Sequence, residues 1–190
     1  MAMTDGVDTV ILHNELAYAD QLPVTFRPLD APVDPAMEAS LVERNLRLLQ
    51  SCAALEEHGQ IEKADEDSPH AADIMRIDLK INLLLDLVGH MVARSQSRPA
   101  AVPVRFNTRG IVWSQAGQAP KVGTRGLVEI HLRDALVEPL ALLGIVEDGS
   151  GDGHIHVRFE SLHETVADHI ERLVFRRHRR QIAGARLTRR

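Results

Sequence analysis

The stretch Val104-Arg105-Phe106-Asn107-Thr108-Arg109-Gly110-Ile111-Val112-Trp113, VRFNTRGIVW, governs the reading of the rest of the chain. Its β-branched and aromatic residues suit a pleated, half-buried surface. The glycine inside this strand-like run marks a tight turn or a close approach by another backbone. Two arginines just before the glycine raise a second possibility, an anion or nucleotide site.

Three further runs downstream share the β character: Gly126-Leu127-Val128-Glu129-Ile130-His131-Leu132, Leu140-Ala141-Leu142-Leu143-Gly144-Ile145-Val146 and His154-Ile155-His156-Val157-Arg158-Phe159. Gly- and Asp-rich connections such as Glu147-Asp148-Gly149-Ser150-Gly151-Asp152-Gly153 separate them, which predicts an antiparallel meander or small barrel. Ser161-Leu162-His163-Glu164 has the capping-box pattern of a helix start. Val166, Ile170, Leu173 and Val174 form the inward stripe of that closing helix, expected to run to about Gly184.

Upstream, Val24 and Phe26 flank Thr25 in a strand begun after Pro23 and stopped by Pro28. Asp34-Pro35 then supplies a capping carboxylate and a proline at the first helical position, predicting a helix to Gly59. After the acidic linker 62–67, Ser68-Pro69 repeats the start signal for a second helix ending before Pro99. Each would be about 35 Å long at about 1.5 Å per residue, more than a compact domain of this size requires. The chain therefore divides into an N-terminal segment with the first strand (1–33), two long helices (34–98), and the remaining strands with a closing helix (99–190).

The second helix carries Ile74, Ile77, Ile81, Leu84, Val88 and Met91 at spacings of 3, 4, 3, 4 and 3, a heptad seam. The first carries Leu41, Leu48 and Leu55 at intervals of seven. Either both helices cover their own sheet or they pair with other copies of the chain. The middle of the second, residues 81–88, is apolar on most of its circumference, which requires burial from several sides. These nine residues are the expected oligomer interface. Isoleucine at both seam positions of the first repeat favours trimers or tetramers over dimers.

Hydrophobic residues make up 44% of the 190 residues, enough for one ordinary core; aromatics are only 3%, so that core should rest on Leu, Ile, Val and Ala. The single cysteine, Cys52, forms no internal disulfide and suits a reducing cytoplasm, where the protein is expected; it reads as a small core residue. No run is long and apolar enough to span a bilayer, so no membrane insertion is expected. The net charge of −5 hides an asymmetry: residues 1–26 hold no Lys or Arg, while Arg172, Arg176, Arg177, Arg179, Arg180, Arg186, Arg189 and Arg190 crowd the end. Such an ending either attracts phosphate or an acidic partner, or is a solvated helix end complementing its dipole. Nucleic acid is a poor match, because Phe175 is the only stacking aromatic there.

Catalytic motifs are missing: there is no Walker loop, no nucleophile elbow, no His-Glu-x-x-His and no cysteine cluster, so no enzyme is indicated. His154 and His156 share a strand face, but no third ligand is marked nearby, and no metal or other cofactor is expected.

Together these segments resemble the PilZ domain, a small β-barrel receptor for the bacterial messenger cyclic di-GMP. The resemblance is carried by VRFNTRGIVW, by the strands through Gly126 and Gly144, and by Val157-Arg158-Phe159-Glu160-Ser161-Leu162 leading into the closing helix. LPVTFRPL looks like the first barrel strand, with the helices inserted after it. LAYADQLP, RIDLKINLLLDL and FRRHRRQIAGAR are similar to the atypical tetrameric subgroup from xanthomonad-type bacteria. The implied architecture is α+β: a small antiparallel PilZ-type β-barrel, two long inserted heptad-containing helices and a C-terminal helix. The implied ligand is cyclic di-GMP and the implied assembly a tetramer.

PilZ receptors hold the nucleotide with Arg-x-x-x-Arg before the first strand and (Asp/Asn)-x-Ser-x-x-Gly on the next. No arginine precedes LPVTF; the literal matches Arg94/Arg98, Arg105/Arg109 and Arg172/Arg176 stand elsewhere. Aligning Gly110 with the motif glycine puts Asn107 at the serine and Arg105 at the acidic position, where a cation cannot accept bonds from guanine. Arg105, Asn107 and Gly110 are thus the candidate ligand residues of a degenerate motif, and direct binding is expected to be weak or absent. The expectation is a non-enzymatic adaptor of cyclic di-GMP pathways with a protein partner still to be identified. The alternatives are a receptor with a remodelled site and an assembly module without a small ligand.

Overall fold

A computed structural model describes residues 10–57, 71–95, 98–114, 119–148, 153–160 and 162–187. A two-stranded hairpin, β1 (Ile11–Leu12) and β2 (Glu15–Leu16), leads into β3 (Tyr18–Pro28). Helices α1 (Pro35–Glu57) and α2 (Ala71–Ser95) follow, then β4 (Ala101–Phe106), β5 (Gly110–Ser114), β6 (Arg125–Ile130), β7 (Leu140–Asp148), β8 (His154–Phe159) and α3 (Glu164–Leu187). Six strands close an antiparallel barrel in the order β3-β4-β5-β8-β7-β6, as the α+β expectation requires.

VRFNTRGIVW is two strands, not one. Phe106 pairs with Ile111, and Asn107, Thr108 and Arg109 form the turn between β4 and β5. The first barrel strand also starts earlier than expected, at Tyr18, and runs through Pro23. Proline is tolerated there because the strand changes partner: Tyr18–Pro23 pairs with β4 and Val24–Pro28 with β6.

Alternation along the strands fills the barrel with Val104, Phe106, Ile111, Trp113, Val128, Ile130, Leu140, Leu142, Ile155, Val157 and Phe159. Four of the chain's six aromatic residues (Tyr18, Phe106, Trp113 and Phe159) are buried in this cluster, so the core uses its aromatics more heavily than composition suggested. The inward stripe of α3, Val166, Ile170, Leu173 and Val174, closes the cluster.

α1 starts as expected: Asp34 Oδ1 accepts from the Ala36 amide at 3.1 Å, capping the helix. Leu48, Leu49 and Cys52 of α1 join the barrel cluster, and Leu41 packs with Leu127 and Ala141. Leu41 and Leu48, expected between chains, are thus covered by the chain's own barrel, and Leu55 is half-buried. The physical reason is that α1 lies beside β7 at a gap in the pairing. The first residues of β7 pair with β6 alone, since β8 joins only from Gly144 onward. Asn45 fills that gap: its Nδ2 donates to Ala141 O at 2.8 Å, and its Oδ1 accepts from Ala141 N at 3.0 Å.

α2 behaves differently. Ile74, Ile77, Ile81, Leu84, Val88 and Met91 are all exposed, from 47% to 65%, as are Met75, Leu79, Leu83 and Leu87. Its buried point is Gly89, where an added Cβ would lie 2.8 Å from Ala135 Cα. The linker 62–67, the start signal Ser68-Pro69 and Ser161 of the capping box lie outside the described residues.

Candidate functional site

The β4–β5 turn is built around one carboxamide. Asn107 is buried, and its Oδ1 accepts from the Arg109 amide at 2.9 Å and the Gly110 amide at 3.2 Å. Its own amide donates to Gly110 O, and its Nδ2 donates to Leu12 O of the β1–β2 hairpin at 2.8 Å. A side chain so engaged holds two hairpins together and has little left to offer a ligand.

That first hairpin turns through His13 and Asn14, both at positive φ (51° and 63°), the conformation of a tight two-residue turn in which Asn and His are over-represented. It brings Glu15 against the β4–β5 turn. Arg109 Nε donates to Glu15 Oε1 at 2.8 Å, and Thr108 Oγ1 reaches Glu15 Oε2 at 3.5 Å. Glu15 raises the Arg109 guanidinium above its ordinary value by this hydrogen bond and by its charge. Gly110 is needed for closeness: a Cβ there would lie 2.4 Å from Val157 O and 3.1 Å from His13 Nε2.

A cavity of about 500 Å³ opens beside this turn, with Glu15, Glu160 and Glu171 in its wall. Its two arginines are already engaged: Arg109 with Glu15, and Arg158 with Glu147 at 2.6 Å. Glu160 is held by Arg125 at 2.7 Å. Three carboxylates around two neutralised guanidiniums make a poor seat for phosphate.

Arg105 stands apart from Asn107 and Gly110. It points outward from β4 between the inward Val104 and Phe106, into a shallow groove of about 490 Å³ shared with Asp20, His154 and His156. The three motif positions are therefore not brought together: Asn107 and Gly110 serve the turn, while Arg105 faces a different groove. Among the described residues no group of three His, Cys, Asp or Glu side chains could hold a metal ion.

The basic ending is only partly solvated. Arg177 is buried, with its guanidinium 4.8 Å from the Tyr18 ring centroid, and its Nε donates to Glu56 Oε1 at 2.9 Å. Sequence reasoning missed Glu56, although an acid in the last turn of a helix opposes the helix dipole and so signals a partner. Glu15, at the start of the chain where no basic residue balances it, carried no such signal.

Comparison with known proteins follows the same outline. Residues 49–187 match the sequence family described as "Atypical PilZ domain, cyclic di-GMP receptor". Among solved structures, the chain is similar to a pathogenic protein from Xanthomonas campestris, described as a new tetrameric PilZ domain self-assembled via an unusual helical bundle. The two share 30% identity with a TM-score of 0.68, over 90% of this chain and 93% of that one. A search of curated proteins finds no match.

Proposed function

The chain belongs to the atypical PilZ family, a receptor family for cyclic di-GMP, and from that premise we propose that it is a non-catalytic adaptor whose inherited nucleotide site no longer binds tightly. The observation that carries this reading is the closed state of Asn107. The side chain at the motif's serine position bonds to Arg109, Gly110 and Leu12 within the protein. Opening the turn for guanine would leave those backbone groups unpaired, at roughly 1–3 kcal/mol for each buried group. The adjacent Arg109 is likewise paired to Glu15.

The adaptor assembles through α2. Its exposed seam is too apolar to stand in water, and a related chain of this family forms a tetramer through a helical bundle. A second copy of this chain is therefore its natural cover, and a tetramer the expected state. The partner that reads the assembly, and its place in the cytoplasm, are part of the same proposal.

Isothermal titration with cyclic di-GMP tests the reading. No saturable heat at micromolar concentration is expected, and a micromolar or tighter dissociation constant overturns it. The groove of Arg105, His154 and His156 supports a second reading, a remodelled receptor site. In that case Arg105→Ala removes the binding that the titration finds.

A further inference from the structure

The cavity of about 500 Å³ beside the β4–β5 turn has a neighbour. It shares Glu15, Thr108 and Glu171 with a second cavity, of about 430 Å³, whose wall is mostly apolar: Leu16 of β2 with Val174 and Phe175 of α3. The two make one groove with an acidic half and an apolar half, and the turn of the inherited motif borders it through Asn107 and Thr108. Phe175 is 54% exposed although Val174, the residue before it, is buried. The Arg179 guanidinium lies 5.8 Å from its ring centroid, and the ring is still more than half open.

The charges of the acidic half leave one carboxylate over. Arg109 is paired with Glu15, Arg158 with Glu147 and Arg125 with Glu160. Both contacts of Arg125 fall on Glu160 Oε2. Among the described residues Glu171 makes no hydrogen bond or ion pair, and it acts on Arg109 through its charge alone. It is exposed on α3, with Ala167 one turn before it in the same wall. Arg172 borders the apolar half and is not in the wall of the acidic one. The groove therefore carries opposite charge at its two ends, with open apolar surface at the positive one.

We infer that this groove docks an extended segment of a partner protein, one that presents a large apolar side chain with a Lys or Arg on one side of it. The inference rests on the adaptor reading and gives it a contact surface. The apolar side chain packs against Leu16, Val174 and Phe175, where burial of an anchor supplies most of the affinity. The cation meets Glu171, and this pair sets orientation and choice of partner more than strength. A basic residue on the other side of the anchor would face Arg172 and be disfavoured.

The experiment is selection of a random heptapeptide library, displayed on phage, against the immobilised full-length protein, followed by fluorescence anisotropy with the most enriched peptide. The expected consensus is one Phe, Leu or Ile with Lys or Arg on one side of it. Binding should be saturable and weaken at least tenfold in Phe175→Ala and in Glu171→Lys. Glu43→Lys makes the same charge change on the exposed face of α1 and leaves the affinity unchanged. Phe175 and Glu171 are both exposed, so each variant should keep the near-UV spectrum of the wild type. The absence of an enriched consensus overturns the inference, as does an acidic or uniformly basic one, or binding that survives both groove substitutions. Enrichment of a stretch of this chain's own sequence makes a second copy the occupant, which overturns it too. The adaptor reading is judged separately: micromolar binding of cyclic di-GMP defeats that reading, while the selected peptide still decides the groove.

Discussion

α1 and α2 are near equals in length, 23 and 25 residues, and both carry apolar residues at heptad spacing. One is sewn to the barrel and the other stands almost bare. What separates them is the polar chemistry beside the leucines. α1 has Asn45, which satisfies both backbone groups of Ala141, and Glu56, which meets the arginines of α3. Among the described residues, α2 meets the body at the close approach of Gly89 to Ala135. Periodicity says that a helix has an apolar face; the polar groups on that face say whose surface covers it.

The comparison breaks most completely if α2 is given charge. Ile81→Glu with Leu84→Glu places two carboxylates in the exposed seam, and the assembly is expected to fall to monomer in sedimentation velocity while the near-UV spectrum of Trp113 in the barrel persists. Loss of the barrel signal together with the assembly would mean that α2 supports the fold as α1 does. On α1, Leu48→Ala empties a site in the barrel cluster and should cost about 3 kcal/mol in chemical denaturation. Unchanged stability there would show that α1 is not sewn on.

Asn45→Leu keeps the bulk but strands two backbone groups of β7, at about 2 kcal/mol. Asn45→Asp retains the acceptor for Ala141 N and should fall between wild type and Asn45→Leu. Burial first of all pushes the Cys52 thiol up to about 11. Native protein should therefore resist alkylation at neutral pH, and fast labelling would place α1 off the barrel for part of the time.

The smallest effect concerns the loop beneath Gly89. Burial, with the charge of Arg98, lowers His131 below its ordinary value, while Glu129 and Asp134 act in the opposite sense. The unfolded chain then binds the proton more readily than the folded one. Stability should hold above the unfolded value of about 6.5 and decline as pH falls from there toward the lower folded value. Melting curves across that window check it, and His131→Gln should flatten the decline.

Much of the fold was legible. The β-rich runs of β4 to β8 with their Gly- and Asp-rich connections, the Asp34-Pro35 start of α1 and the inward stripe of α3 are local signals, and the barrel keeps them. The turn inside VRFNTRGIVW was legible only as the tight turn or close approach that Gly110 marks; that Asn107 builds it was not, because its amide partners are set by the fold. The candidate site was less readable still. Glu15 and Arg109 are separated by the whole helical insertion and Glu56 and Arg177 by most of it, and such pairings exist only after the barrel closes. The division of labour between the helices rests on Asn45, which in sequence is one polar residue in an amphipathic pattern.

Asn45 has a further consequence, for how copies of this chain can meet. A strand with one unpaired side is a template on which another chain can add a strand, and such growth has no natural end. Here the carboxamide imitates a peptide group and occupies the donor and acceptor of Ala141 on that open side. Edge-to-edge addition is blocked at the point where the barrel is least complete. If copies meet through α2 as proposed, the assembly would then close at a fixed size instead of growing into an open-ended fibre.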